Sequence, residues 1–489
     1  MEQTKEKHDQ YYEMAHAPVG RVISKLAVPT IISMLVTSIY NMADTFFVSQ
    51  LGTSASGAVG IIFSAMAIIQ ALSFMIGIGS GNYIARLIGA GNRELAEKLA
   101  SIGFFTGFGM GLVITVLGTA NIHVLVMMLG STVTIAPYAE AYASYILLAA
   151  PFMMTSFIMN NILRFQGKAL FAMVGITTGG ILNIILDPVF IFGMDMGTAG
   201  AALATGISQF VSFCILLAMC NLRRDCISID IRKFRPTLKL YGQILYGGVA
   251  SLGRQGIASV ATIIMNIMAQ PYGDAAIAAM SIVNRFMMFV GSAMIGFGQG
   301  FQPVCSYCFG AGMYRRVKEA CLFCIKVSTA VLLLFAVIGL IFSGNIVAVF
   351  RKDDMDVIRI GTLALRLQLC TLPLMGITVM GNMTPQSMGY GTWATVVSTA
   401  RQGWFLIPLL LFLTPAIGIL GIQIAQPLAD IGTTILAIWV LRFIFKDLLL
   451  KEEVLLMKPP RTEVALYCLM TLFWRNRLRW QKGRNLYWI

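Results

Sequence analysis

Two aspartates stand inside long apolar runs: Asp44 in VPTIISMLVTSIYNMADTFFV and Asp187 in TTGGILNIILDPVFIFG. A carboxylate near the centre of a bilayer costs about 2.5–3.5 kcal/mol on insertion scales, so an ion or proton path is the first reading of such residues. Asn183 precedes Asp187 by four residues, which puts both on one face of a helix. Pro188 comes directly after Asp187 and has no backbone N–H to donate, which favours a bend beside the carboxylate. Pro29 stands earlier in the run that holds Asp44, so Pro29 and Pro188 are the candidate hinges. The second half of the chain carries intramembrane Arg254, Arg285 and Arg401, with Arg366 nearer a span end and Asp430 in the last span. Arginine cannot shed its charge, so these residues must pair, snorkel or line water. Two readings stand: structural pairing, in which Asp430 neutralises one arginine, or a substrate cavity that holds anionic or zwitterionic groups.

The elements that must position these residues are membrane helices. The chain of 489 residues is 57% hydrophobic and 12% charged, with mean hydropathy +0.78, where a soluble domain is about a quarter charged. A span needs about 20 apolar residues. Twelve are expected, at 23–49, 57–84, 99–120, 138–160, 170–193, 198–222, 242–270, 275–305, 321–343, 360–383, 393–413 and 418–445. The fold class is therefore all-α and polytopic. The net charge of +14 follows the positive-inside rule rather than nucleic-acid binding. Alternate loops carry most of the Lys and Arg, while the opposite set holds only Arg351, Lys352 and Arg359. Both termini are thereby expected in the cytoplasm. Residues 1–20 are polar and lack the apolar core of a cleavable signal peptide.

The charged stretch RRDCISIDIRKFRPTLK divides the chain. Sliding the second half over the first by 221 residues aligns Gly52 with Gly273, Gly77 and Gly79 with Gly298 and Gly300, Gly89-Ala90-Gly91 with Gly310-Ala311-Gly312, and Gly197 and Gly200 with Gly418 and Gly421. The chain reads as one six-span unit duplicated: an N-terminal bundle over 1–222, a linker over 223–241, a C-terminal bundle over 242–446 and a basic tail over 447–489. Six is even, so the halves enter the membrane in the same sense, as in parallel-repeat transporters, with a site between or within them. The tail stretch TLFWRNRLRWQKGR reads as a helix lying on the anionic cytoplasmic leaflet.

Other chemistries are disfavoured. Cys305/Cys308 and Cys321/Cys324 have C-x-x-C spacing but fall near helix ends in a membrane, where small apolar packing is the simpler use than zinc. His8, His16 and His123 have no metal-ligand partner at helical spacing, and His123 is expected in an outer loop. The glycines of GIGSGNYIARLIGAG come after no strand, so they are not a phosphate loop. No nucleophile elbow, zinc-protease motif or pore signature is present.

The segments LAVPTIISMLVTSIYNMADTFFVSQLG, ARLIGAGNRELAEK and LNIILDPVFIFGMDMGTAGAALATGIS resemble the multidrug and toxic compound extrusion (MATE) transporters, over about residues 18–446. They look most like the branch of DNA-damage-inducible-type and archaeal members. That resemblance implies two six-helix bundles in a V around a central cavity, and export of organic cations against an inward Na⁺ or H⁺ gradient. It also implies a cation or proton site at Asp44, Asn183, Asp187 and Thr205, with Tyr40, Asn160 and the Ala201 carbonyl as neighbours. Hard cations take oxygen ligands, and these residues offer two carboxylates, an amide, a hydroxyl and a carbonyl for Na⁺; a proton carried on one aspartate is the alternative. No cofactor or nucleic acid is expected. The chain is expected to be a monomer in the cytoplasmic membrane of a prokaryote, acting on a small-molecule substrate among lipids. The rival reading is a flippase or exporter of an anionic or lipid-linked substrate, held by Arg254, Arg285 and Arg401.

Overall fold

The computed structural model describes residues 13–222, 226–350 and 354–457, and no β-strand occurs among them. His8, Arg223, Arg224, Arg351, Lys352 and the basic stretch of the tail lie outside the described residues. Twelve long helical paths occur in order: α1 Val19–Ser49, α2 Thr53–Gly89, α3 Arg93–Ala120, α4 Ala136–Phe165, α5 Ala169–Gly193, α6 Gly197–Asn221, α7 Leu238–Ala269, α8 Asp274–Gly310, α9 Tyr314–Phe350, α10 Met355–Met388, α11 Gly391–Ile417 and α12 Ile419–Met457. Eleven are long and apolar enough to cross a membrane; the twelfth, α7, carries Lys239 and Arg254.

Several helices outrun their expected spans. The 37-residue α2, α8 and α9 are about 55 Å long, against a hydrocarbon core of about 30 Å. Their charged ends, Arg86 in α2 and Arg315 and Arg316 in α9, continue the helix past the apolar stretch that hydropathy detects. His123 is not in a loop but on a short helix, Ile122–Met128, with its ring 2.6 Å from a Glu140 oxygen.

The chain divides into two compact units, Met1–Arg442 and Phe443–Ile489. The two halves do not separate within the first unit. Helix α1 packs on α8, and α2 packs on α7, so the first two helices of each half, which also pack within their own half, make the contact between the halves. The repeated G-A-G motif explains part of this seam. Gly91 and Gly312 have φ of 78° and 74° and end α2 and α8 in the left-handed region, where glycine is favoured. Gly89 and Gly310 do something different. A Cβ on Gly89 would stand 2.2 Å from the Tyr307 carbonyl oxygen, and one on Gly310 would stand 2.1 Å from that of Arg86. The two helix ends therefore touch backbone to backbone.

A buried polar chain runs along the same seam. Arg164, at the end of α4 and 1% exposed, donates to the Gln299 carbonyl at 2.9 Å and to Gln302 Oε1 at 3.4 Å, both on α8, and also to Asn161 Oδ1. Gln302 donates to Gln386 Oε1 at 3.1 Å, and Gln386 donates to Ser251 Oγ at 2.8 Å. Beside it, Ser306 donates to Asn82 Oδ1 at 2.9 Å and Arg86 to the Met388 carbonyl at 3.0 Å. The C-x-x-C cysteines lie here as free, buried thiols, and Cys321 Sγ is 3.3 Å from Thr384 Oγ1.

Candidate cation site

Within α5, Asn183 and Asp187 point inward on one face; they are 2% and 0% exposed. Asn183 Nδ2 donates to Asp187 Oδ1 and to Thr205 Oγ1 on α6, each at 3.2 Å. The α-helical part of α5 ends at Pro188, and a π-helical turn, Val189–Gly193, comes next. The missing proline N–H breaks the regular ladder beside the carboxylate. Helix α1 brings half-buried Asp44 to the same place, where the two carboxylates interact electrostatically. By contrast, α1 stays continuous through Pro29.

Tyr142 on α4, which sequence reasoning missed, joins the two carboxylates. Its hydroxyl donates to Asp44 Oδ2 at 3.4 Å and also lies in the field of Asp187. It is fully buried. A tyrosine inside an apolar span carries no local signal of this role.

Three oxygens in this cluster are buried without a hydrogen-bond donor: Asp44 Oδ1, Asn183 Oδ1 and Asp187 Oδ2. Buried polar atoms are nearly always paired, so three acceptors left open in one place need a reason. Among the described residues no group of three or more His, Cys, Asp or Glu forms a metal cluster. An ion held here would rely on amide and hydroxyl oxygens as well as the carboxylates.

The expected neighbours divide. Tyr40 is buried and lines a small cavity with Asn183, Thr205, Ser208 and Gln209. Ala201 is fully buried one turn before Thr205. Asn160 is placed elsewhere: its Nδ2 donates to the Ala172 carbonyl at 2.9 Å, and Ala172 is about 16 Å along α5 from Asn183. The second half repeats this bond, with Asn382 Nδ2 donating to the Ala394 carbonyl at 2.8 Å. The asparagine pins α4 to α5 as its counterpart pins α10 to α11.

In the C-terminal half, Arg401 Nε lies 2.6 Å from Asp430 Oδ1 and Arg401 Nη2 lies 3.4 Å from Asp430 Oδ2. One of the arginines is thus paired with Asp430. Arg366 donates to Ser343 Oγ at 2.8 Å. Half-buried Arg254 and exposed Arg285 have no hydrogen bond or ion pair among the described residues, and Arg254 feels the charge of Arg164.

The fold is thus that of a polytopic transporter built from two six-helix repeats. The MatE family model matches it twice, over residues 29–189 and 252–412, once in each half, and the chain belongs to that family. It is 26% identical over 419 residues to the multidrug export protein MepA of Staphylococcus aureus (strain MSSA476), covering 85% of this chain and 92% of the relative. It is 25% identical to MepA of Staphylococcus haemolyticus (strain JCSC1435), over 89% of this chain and 96% of the relative. Among solved structures it resembles MATE in the straight conformation, with TM-score 0.84, 26% identity, and coverage of 89% of this chain and 98% of the other. With the same coverage and identity and a TM-score of 0.83, it resembles a MOP superfamily transporter from Pyrococcus furiosus, described as having a binding pocket of reverse polarity that suggests a different function.

Proposed function

We propose that this protein is a secondary active exporter that moves small organic molecules outward in exchange for Na⁺ or H⁺ entering through Asp44, Asn183, Asp187 and Thr205. The observation that carries this reading is the set of open oxygens on Asp44, Asn183 and Asp187, gathered from two helices into one buried cluster. Their chemistry suits a hard monovalent cation, which oxygen ligands hold, and it equally suits a proton on one aspartate. Coupling results if ion and substrate favour different arrangements of the two halves. Alternating access would part the seam at the ends of α2, α4, α8 and α10 and close the opposite side. Pro188 and its π turn form the hinge beside the ion, and Pro29 a second hinge in α1. The protein works as a monomer in the cytoplasmic membrane with both termini inside, and needs no cofactor.

The test is efflux of a fluorescent organic cation from proteoliposomes under an imposed Na⁺ gradient or pH gradient, each alone. Efflux under one gradient, lost with Asp44→Asn, supports the reading and names the ion. A fully active Asp44→Asn protein would sink the site assignment. A second reading is favoured by Arg254 and Arg285, which have no acidic partner among the described residues: an anionic, zwitterionic or lipid-linked substrate. The pocket of reverse polarity in the Pyrococcus furiosus relative is in keeping with it. Failure of every organic cation under both gradients, with export of an anionic dye, would favour that reading.

A further inference from the structure

The two halves treat equivalent places in opposite ways. The offset of 221 residues that aligns Gly197 and Gly200 with Gly418 and Gly421 also aligns Thr205 with Gln426 and Gln209 with Asp430. In the first half, this part of α6 faces α5 across the small cavity lined by Asn183, Thr205, Ser208 and Gln209. In the second half the corresponding part of α12 faces α11, and the space between holds a guanidinium. Arg401 lies in the π-helical stretch Ala400–Leu406 of α11 and spans to Asp430.

The carboxylates differ accordingly. Asp430 receives Arg401 on both oxygens, Gln426 Nε2 at 3.0 Å on Oδ1 and Thr371 Oγ1 at 3.4 Å on Oδ2. Neither oxygen is left open. Asp44 and Asp187 each keep one oxygen with no donor. A forked arginine–carboxylate contact is directional and charge-assisted, and arginine does not give up its proton. The positive charge beside Asp430 is thus permanent and tethered, whereas no Lys or Arg among the described residues pairs with Asp44 or Asp187.

We propose that Arg401 is the built-in cation of a second, counterpart site in the C-terminal half, and that it restricts exchange of a mobile ion to the N-terminal half. Removal of its guanidinium exposes a latent monovalent-cation site made of Asp430, Gln426 and Thr371. The two carboxylate oxygens and the Thr371 hydroxyl oxygen are already gathered, from α10 and α12, and Gln426 faces Asp430 with its amide nitrogen, so it supplies its oxygen to an ion by turning the amide over. This rests on the N-terminal cation site proposed above, since that site defines what the counterpart lacks.

The experiment measures binding of radioactive sodium to the purified full chain in detergent, for Asp187→Asn, Asp187→Asn/Arg401→Ala, and the latter with Asp430→Asn added. The expected result is no sodium on the first, one sodium per protein on the second, and its loss on the third. A folded second variant that binds no more sodium than the first overturns the proposal and leaves Arg401–Asp430 as a structural pair. If Arg401→Ala does not fold, Arg401→Gln in the same background removes the charge while keeping a polar side chain, and the same criterion applies. Sodium on Asp187→Asn alone contradicts the N-terminal site instead; the Arg401 result is read as a difference from that variant and stands apart.

Discussion

At the scale of single residues, the cluster around Asp187 makes sharp demands. Asn183 is the only side chain that donates to Asp187 among the described residues, and it bridges to Thr205. Asp187→Asn removes the charge with little change of shape, so transport is expected to fall at least about tenfold while the protein stays folded; a 1.4 kcal/mol loss already gives that factor. Gradient-driven efflux and an unchanged thermal transition together check it. Tyr142→Phe removes one hydroxyl at 3.4 Å from Asp44. A hydrogen bond is worth about 1 kcal/mol, so roughly a fivefold weaker dependence on the coupling ion is expected, read from the concentration that half-saturates efflux. Asp44 and Asp187 were legible in the sequence because a carboxylate in an apolar run is expensive, and Asn183 through the family resemblance and its spacing of four residues from Asp187. Tyr142 was not, because tyrosine is unremarkable in such a run and its role depends on which helix stands opposite.

At the scale of elements, backbone irregularity lies next to the proposed cation site. The π turn after Pro188 re-aims α5 beyond the carboxylate. Pro188→Ala restores a backbone donor, so the turn is expected to relax toward α-helix and rotate the remainder of α5. Transport should drop several-fold with stability unchanged or improved, measured by efflux and thermal unfolding on the same preparation. Glycines set the opposite constraint at the seam. A Cβ on Gly248 would stand 1.9 Å from the Met75 carbonyl oxygen. Gly248→Ala must therefore push α7 from α2, at a cost of about 1–3 kcal/mol, visible as a lower unfolding temperature. The alignment of glycines between the halves was visible in the sequence. That Gly89 and Gly310 serve a close approach while Gly91 and Gly312 serve a turn emerged only with the neighbouring helix in place.

At the scale of the molecule, one seam joins the two halves, and Arg164 is its most costly member. Its charge is buried, it has no carboxylate partner among the described residues, and its Nε has no acceptor. A buried charge without a counter-ion is destabilising, and an apolar side chain of similar volume is often tolerated or better. Arg164→Met is expected to fold, and to lose the link from α4 to α8. Distances between spectroscopic labels at the ends of those helices should then spread to longer values; an unchanged distribution would show that the glycine contacts alone hold the seam.

Composition and hydropathy by themselves determined an all-helical membrane protein, because the bilayer excludes unpaired backbone and so leaves long apolar helices as the solution, and the glycine matches at an offset of 221 residues gave the duplicated six-span unit. The same economy picked out Asp44 and Asp187, since a carboxylate is costly in that setting, while Asn183 and Thr205 came from the resemblance to a known family. Only the tertiary structure decided which of these polar groups meet. It turned Asn160 away to Ala172, brought in Tyr142 from α4, and paired Arg401 with Asp430 while leaving Arg254 and Arg285 without a carboxylate among the described residues. The physical reason is that a span's sequence sets what a helix carries, whereas its rotation and its neighbours are set by packing across helices that are far apart in the chain.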